Sequence, residues 1–174
     1  MLAHSVQQIA LIACAGLLLW AATTDLIDFF IPNRVCLAIA GLYPVYLLAT
    51  WLGGTPADWA GGVLAAAAVF VAGFAFFNLG MVGGGDVKLL TVTALWAGLG
   101  GLAPFLLIVG LAGGLLSLLL VTAKAASYVR QPASRPADLP VWRAVLQQPA
   151  PYGVAIAVGG FFTLGQLAGL RFTF

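Results

Sequence analysis

Acidic side chains are scarce in this sequence, and two of them could form a paired-carboxylate site. The chain contains no glutamate and five aspartates: Asp25, Asp28, Asp58, Asp86 and Asp138. Asp25, Asp28 and Asp86 border long apolar runs, where ionisable groups are costly and usually face a polar interior. Two carboxylates a few ångström apart share a proton, because both cannot easily ionise. One can then act as a general base and the other as a general acid, which is hydrolytic chemistry without a serine or cysteine nucleophile.

The overall composition predicts that lipid surrounds most of the chain. Of 174 residues, 63% are hydrophobic and 7% are charged, whereas soluble domains carry roughly 25% charged residues. The apolar runs reach about 20 residues, the length of helix that crosses a hydrocarbon core of roughly 30 Å. The alternation of apolar and polar residues that is typical of outer-membrane strands is absent from the sequence. We therefore predict an all-α, polytopic membrane protein.

Six transmembrane helices are predicted within a single membrane-embedded domain over residues 1–174. They run from Val6 to Thr24, Val35 to Gly53, Ala57 to Leu79, Val87 to Gly100, Leu102 to Ala123 and Tyr152 to Leu170. A tight turn is expected between the fourth and fifth segments, because about 37 apolar residues are too many for one crossing. Gly98, Gly100 and Gly101 punctuate this stretch, with Pro104 following them.

Two shorter patterns predict local structure within this frame. Thr55 is expected to cap the third helix, with Pro56 as its first residue and Asp58 near its positive end. Gly110 and Gly114 are spaced for close packing against another helix.

The distribution of charge predicts the orientation of the helices. With the N-terminus outside, six of the seven basic residues lie inside: Arg34, Lys88, Lys124, Arg130, Arg135 and Arg143. Only Arg171 lies outside, so the positive-inside rule favours this orientation and makes the segment from about residue 124 to residue 151 cytoplasmic. Three tryptophans are then expected in an aromatic belt at the outer interface: Trp51, Trp59 and Trp96.

The same topology relates two of the carboxylates. Asp25 ends the first predicted helix on the inside, and Asp86 begins the fourth on the inside, although they are 61 positions apart. Both are therefore expected at one level, the cytoplasmic edge of the membrane. Charge and hydropathy alone thus predict a polar site at that edge.

The residue types argue against nucleic-acid binding, cysteine chemistry and metal binding. The net charge of +2 and the lack of a basic groove argue against nucleic acid as a partner. Cys14 and Cys36 both lie in apolar segments, and we interpret them as packing residues. His4 is the only histidine and there is no CxxC pair, so we expect no metal and no cofactor.

The segments around the two aspartates carry distinctive patterns. Gly83, Gly84 and Gly85 precede Asp86, and successive glycines allow positive φ and close approach of another extended chain. Pro32 and Asn33 follow Asp25 and predict a turn that launches the second helix. Taken singly, each segment is equally compatible with a simple polar turn.

Taken together, the two segments resemble the prepilin peptidase family, the aspartic peptidases of type IV pilin and related systems. Asp25 stands seven positions before the proline of an Ile31-Pro32-Asn33 turn, as one catalytic aspartate of that family does. Asp86 closes a Gly-x-Gly-Asp motif, with Lys88 two positions later, as the other does. The stretch from Pro151 to Ile156 also looks like the C-terminal segment of the family.

The resemblance implies a particular kind of family member. The chain lacks the cytoplasmic insertion with paired CxxC motifs of the bifunctional, methylating members, so it looks like the minimal Flp/Tad type. The substrate implied is a prepilin with a basic leader and one hydrophobic helix, cleaved after a glycine at the cytoplasmic face of the bacterial inner membrane. Lipid is the other expected partner.

The resemblance also implies roles for residues near the pair. It makes Asp25 and Asp86 catalytic, and places Gly83, Gly84, Gly85 and Lys88 at the substrate. Lys88 is equally explained as an anchor at the inner interface. Many relatives carry a basic residue between the first aspartate and the proline, whereas this stretch is apolar here apart from Asp28. Asp28 could bind the leader, tune Asp25 or merely solvate the loop.

The helix ends indicate which aspartate of the pair is the base and which is the acid. Asp86 is predicted at a helix N-terminus, which favours its anion, and Asp25 near a helix C-terminus, which does not. This weakly favours Asp86 as the resting base and Asp25 as the resting acid, although such a pair titrates as a unit.

Three alternatives stay open on the sequence. Presenilin-type proteases share the Gly-x-Gly-Asp core, but they have about nine helices and a Pro-Ala-Leu motif that this chain lacks. A small ion-coupled transporter could use intramembrane aspartates, although these usually lie near the midplane between repeated halves. A non-catalytic membrane scaffold is the third.

Overall fold

The computed structural model describes residues 2–55, 57–130 and 151–170, without the side chains of residues 128 and 129. Within this part of the chain, every regular element is an α-helix. The five helices are α1 (Leu2–Asp28), α2 (Asn33–Leu52), α3 (Trp59–Asn78), α4 (Gly84–Arg130) and α5 (Tyr152–Leu167). The prediction of an all-helical fold is therefore confirmed. Arg135, Asp138, Arg143 and Arg171 lie outside the described residues, as do Pro56 and most of the predicted cytoplasmic loop.

Four of these helices, α1 to α4, are long and apolar enough to cross a membrane. The shorter α5 is also apolar, and its 16 residues rise about 24 Å. Large apolar side chains cover the outside of the bundle; Trp20, Leu37, Val71 and Leu111 are each more than half exposed. In water such a surface would be strongly unfavourable, whereas acyl chains solvate it well.

Helix α4 is broken at Gly98, inside the predicted turn. Gly98 has φ 63° and ψ 176°, a backbone region that essentially only glycine occupies. Past this break the chain folds back, because Phe105 is fully buried against Ala94 of the preceding arm and Val69 of α3. We call residues 84–97 the first arm and residues 99–130 the second arm. The first arm rises only about 21 Å, less than a hydrocarbon core of about 30 Å, so six membrane crossings stay a prediction. The outside position of the N-terminus also stays a prediction.

The core lies where α1, α2, the first arm of α4 and α5 meet. Leu18, Ile39, Leu89 and Ile156 contribute one fully buried side chain from each of these elements. Glycines bring α5 close to its neighbours: a Cβ atom at Gly159 would lie 2.5 Å from the side chain of Val109 in the second arm, which is too close for real Cβ contacts. The N-terminal end of α5 is consequently held near the C-terminal end of α1.

Trp96 does not belong to an interfacial belt, so that prediction is wrong for this residue. Only 3% of Trp96 is exposed, and its indole Nε1–H donates to the carbonyl of Ile39 at 3.1 Å. Its ring contacts Tyr43 and Tyr46, with centroid separations of 5.5 and 5.3 Å. Hydropathy cannot reveal this, because a helix that is apolar all round has no stripe that marks its buried face. Trp51 and Trp59, in contrast, are exposed.

Two further local predictions also need correction. Helix α3 begins at Trp59 and is capped by Asp58, whose Oδ1 accepts from the amide of Gly61 at 2.8 Å, so Thr55 is not the cap. Aspartate is a stronger helix cap than threonine. The carboxylate of Asp58 can reach the amide of Gly61 because Gly61 has no side chain in the space that the carboxylate occupies. Gly110 and Gly114 have no packing partner within 4 Å in the described chain; Gly113 is the close contact instead, against Tyr152.

Candidate active site

Asp25 lies in the last turn of α1 and is almost completely buried, with 5% of its surface exposed. Its Oδ2 accepts a hydrogen bond from the backbone amide of Gly153 at 2.6 Å. Gly153 is the second residue of α5, so its amide has no acceptor within the helix. The carboxylate therefore occupies the anion-binding position at a helix N-terminus.

Only glycine fits at position 153. A Cβ atom there would lie 2.8 Å from Oδ2 of Asp25 and 2.9 Å from its Cβ. Real Cβ atoms essentially never approach so closely, and the Cβ of Asp25 is fixed to the backbone of α1. The absence of a side chain at Gly153 thus permits both the hydrogen bond and the burial of Asp25.

Asp86 is the third residue of α4, and it is half-buried. Its carboxylate turns back toward the backbone amide of Gly83, the residue that precedes the helix. This is the capping-box arrangement, in which a side chain of the first turn binds an amide that the helix leaves free. A Cβ atom on Gly83 would lie 2.9 Å from Oδ2 of Asp86.

The three glycines before Asp86 allow close approach, but none of them uses a positive φ. The positive φ of this segment is at Gly80, with φ 70°. A Cβ at Gly84 would lie 3.3 Å from the ring of Phe77, and one at Gly85 would lie 3.4 Å from Ile31. The glycines accordingly let the end of α3 and the α1–α2 turn pack against the start of α4.

Asp25 and Asp86 line one cavity of about 1300 Å³. The α1–α2 turn, the glycine segment from Gly80 to Gly85, the second arm of α4 and the start of α5 form its walls. The two carboxylates interact electrostatically across this space. Folding has therefore brought together two acidic groups 61 positions apart in sequence.

The turn between α1 and α2 shapes one wall of the cavity. Phe29 adopts φ 49°, unusual for an aromatic residue, and its amide donates to the carbonyl of Asp25 at 3.1 Å. Pro32 is extended, with φ −64° and ψ 131°, and α2 starts at the next residue. Ile31 is buried, whereas Phe29 and Phe30 are exposed and line the cavity.

Lys88 joins the start of α4 to the start of α2. Its Nζ donates to Oδ1 of Asn33 at 3.0 Å, and both residues line the cavity. The interfacial-anchor and substrate-binding interpretations of Lys88 are thus both compatible with its position. Asp28, at the end of α1, is exposed and does not line the cavity.

The sequence does not single out Gly153 as a site residue. The only signal is that the stretch containing Pro151, Tyr152 and Gly153 looks like the C-terminal segment of the family. Tyr152 ties the same turn to the second arm of α4, where its hydroxyl lies 3.4 Å from Oγ of Ser117. Among the described residues, no three histidine, cysteine, aspartate or glutamate side chains group as metal ligands would. The expectation of no cofactor stays a prediction.

Fold and site together define a helical protein with membrane-length helices and two carboxylates in one cavity at the helix ends. A family model described as the type IV leader peptidase family matches residues 12–118, more than half of the chain. The chain belongs to the type IV leader peptidase family, as its sequence motifs predict. The matched range contains both Asp25 and Asp86, while Gly153 lies beyond it. No match was found among curated proteins or among solved structures.

Proposed function

We propose that the chain is an aspartic endopeptidase that removes the leader peptide of type IV or Flp-like prepilins. Asp25 and Asp86 would act as its catalytic pair, at the cytoplasmic face of the bacterial inner membrane. The observation that carries this proposal is the cavity that these two carboxylates share, in a chain of the type IV leader peptidase family.

The chemistry is hydrolysis of one amide bond by an activated water. One carboxylate, unprotonated, removes a proton from the water as its oxygen attacks the scissile carbonyl carbon. The other, protonated, donates to the carbonyl oxygen as negative charge develops there. In the second step the C–N bond breaks, and the leaving amine takes the proton that the first carboxylate received from water. A hydroxyl of the tetrahedral intermediate returns a proton to the other carboxylate as the new carboxyl group forms, so the pair again holds one proton.

Helix dipoles do not distinguish the acid from the base, because each of the two carboxylates lies at a helix N-terminus. Asp86 lies at the N-terminus of α4, and Asp25, although near the C-terminus of α1, binds the N-terminal amide of Gly153 in α5. Both carboxylates thus experience the positive end of a helix dipole, worth about 0.3–1 kcal/mol each. The pair is therefore best treated as one unit that holds one proton.

Substrate would reach the pair as an extended segment. A cleavable bond within a helix is inaccessible to water, so the substrate must unwind at the cut. The exposed rings of Phe29 and Phe30 provide apolar contacts on one side of the cavity, and the glycine segment provides a surface without side chains on the other. Lys88 lies at the edge of this space.

The test is cleavage of an Flp-type prepilin by the purified protein in lipid nanodiscs. Asp25→Asn and Asp86→Asn should each abolish a single cut after the leader glycine. Asp58→Asn is the matched control, because it makes the same chemical change about 30 Å away at the other end of α3, where asparagine also caps a helix. Absence of cleavage by the folded wild-type protein would instead favour the ion-coupled transporter or the non-catalytic membrane scaffold.

A further inference from the structure

A second cavity, of about 390 Å³, lies on the outside of the bundle between α2 and α3. Its walls include Leu37 and Ala40 of α2, Phe70 of α3 and Val92 of α4, and we call it the lateral groove. Helices α2 and α3 each pack against α4 but share no extensive interface with each other. Leu37 is 70% exposed and Phe70 46% exposed, so the groove opens toward the surrounding lipid.

The lateral groove adjoins the carboxylate cavity. Asn33 and Lys88 line both spaces. Their hydrogen bond, 3.0 Å long, lies at the junction and supplies the charged group of the groove. A molecule in the groove therefore lies beside Asn33 and Lys88, which also line the cavity that contains Asp25 and Asp86.

The length and polarity of the groove define what it can hold. From Asn33 to Ala40 helix α2 rises about 10 Å, or two helical turns. Over that length the walls are mostly apolar, and the hydroxyl of Thr91 is already bonded to the carbonyl of Val87 at 2.7 Å. The groove thus suits a partner that is apolar for two turns and has a polar, extended end in the carboxylate cavity. Its volume accommodates a few side chains of such a partner, not a whole helix.

We propose that the lateral groove docks the first two turns of the substrate's apolar helix, next to the bond that is cut. This rests on the proposed function. The substrate approaches through the lipid between α2 and α3, with one face of its helix against Leu37, Ala40 and Phe70. Its chain then leaves the helical conformation at Asn33 and Lys88 and enters the cavity with the scissile bond exposed. The polar end of the groove at Asn33 and Lys88, next to the carboxylate cavity, suits a peptide chain that becomes polar there, whereas a free acyl chain has no polar group to place at that end.

Two alanines of α2 offer a matched test. Ala40 lines the groove, whereas Ala38 is exposed outside both cavities, about 200° away around the helix. Ala40→Trp and Ala38→Trp are each assayed with a full-length Flp-type prepilin and with a soluble peptide that keeps the leader and the scissile bond but lacks the apolar helix. Circular dichroism and thermal unfolding show whether each variant folds.

The expected result separates the two substrates. Ala40→Trp should lower kcat/KM for the full-length prepilin at least about tenfold, chiefly through KM, and change that for the short peptide less than about twofold. Ala38→Trp should change neither. Equal losses with both substrates, or none, would overturn the docking proposal. If the wild-type protein cleaves neither substrate, the proposed function itself fails.

Photo-crosslinking provides a second readout that does not depend on Ala40→Trp folding well. A photoreactive residue replaces Leu37 in the groove or Leu48, which is also exposed on α2 but outside it, in an Asp86→Asn background that keeps substrate uncleaved. Position 37 should form an adduct with the first turns of the prepilin helix, and position 48 should not. Lipid adducts alone at position 37, or equal substrate yields at both positions, contradict the inference.

Discussion

Asp25 and Gly153, 128 positions apart in the chain, are joined by a hydrogen bond of 2.6 Å between a buried carboxylate and a helix N-terminal amide. This contact links the C-terminal end of α1 to the first turn of α5. It fixes one oxygen of Asp25 and leaves the other available to the cavity. The orientation of the carboxylate is therefore set by a helix that lies beyond the range of the family match.

Replacing Gly153 with alanine should strongly slow prepilin cleavage. The added Cβ would lie 2.8–3.0 Å from three atoms of Asp25, so α1 and α5 must move apart. A displacement of about 1 Å at a reacting group can lower the rate on the order of 100-fold. We expect a fall of that size in kcat for prepilin cleavage, with KM little changed. A Gly153→Ala protein of normal kcat would show that this contact does not position Asp25.

The two aspartates should behave as one catalytic unit. Asp25→Asn and Asp86→Asn are each expected to reduce kcat to the background rate, because neither carboxylate can supply both the base and the acid. The double variant should then be no slower than either single variant, since groups that act together are strongly non-additive. Single-turnover assays measure this. Independent, multiplicative losses would indicate that the carboxylates do not share the reaction.

Adjacent glycines in the second arm of α4 should respond in opposite ways to alanine. A Cβ at Gly113 would lie 3.1 Å from the ring of Tyr152, whereas one at Gly114 meets nothing within 4 Å. Gly113→Ala should displace the first turn of α5, lowering both the temperature of unfolding and the cleavage rate. Gly114→Ala should be neutral, or stabilising by up to about 1 kcal/mol, because alanine favours the helix. Equal effects at both positions would mean that the Tyr152 contact is unimportant.

The break in α4 should depend on the glycine at its centre. Gly98 has φ 63° and ψ 176°, and other residues adopt this conformation only at a cost of about 1–3 kcal/mol. Gly98→Ala should lower the free energy of unfolding by about that amount, as measured by chemical denaturation in detergent. Gly100→Ala is the control, because Gly100 is helical and has open space around it. Similar stabilities of the two variants would show that the break does not require glycine.

Much of the architecture could be anticipated from the residues alone. Low charge and long apolar runs are sufficient to predict helices of membrane length, because only helices and closed β-barrels satisfy the backbone in lipid and the alternation typical of barrel strands is absent from the sequence. The glycines around Gly98 predicted the place where α4 folds back. The Asp25–Pro32 spacing and the Gly83–Asp86 motif predicted the family, and that prediction is confirmed. The catalytic roles of Asp25 and Asp86 stay predictions, although the structure places both in one cavity.

The sequence by itself determined the class of protein and the family, since these follow from composition, hydropathy and local motifs. It also predicted a common membrane level for the two carboxylates, which stays a prediction. Tertiary structure decided which faces of the helices meet. It buried Trp96, paired Asp25 with Gly153 and left a groove between α2 and α3. Helices that are apolar on every side carry no stripe that selects the packed face, so steric fit between distant segments makes that choice. For Asp25, the absence of a side chain at Gly153 is what allows the carboxylate to be buried against the start of α5.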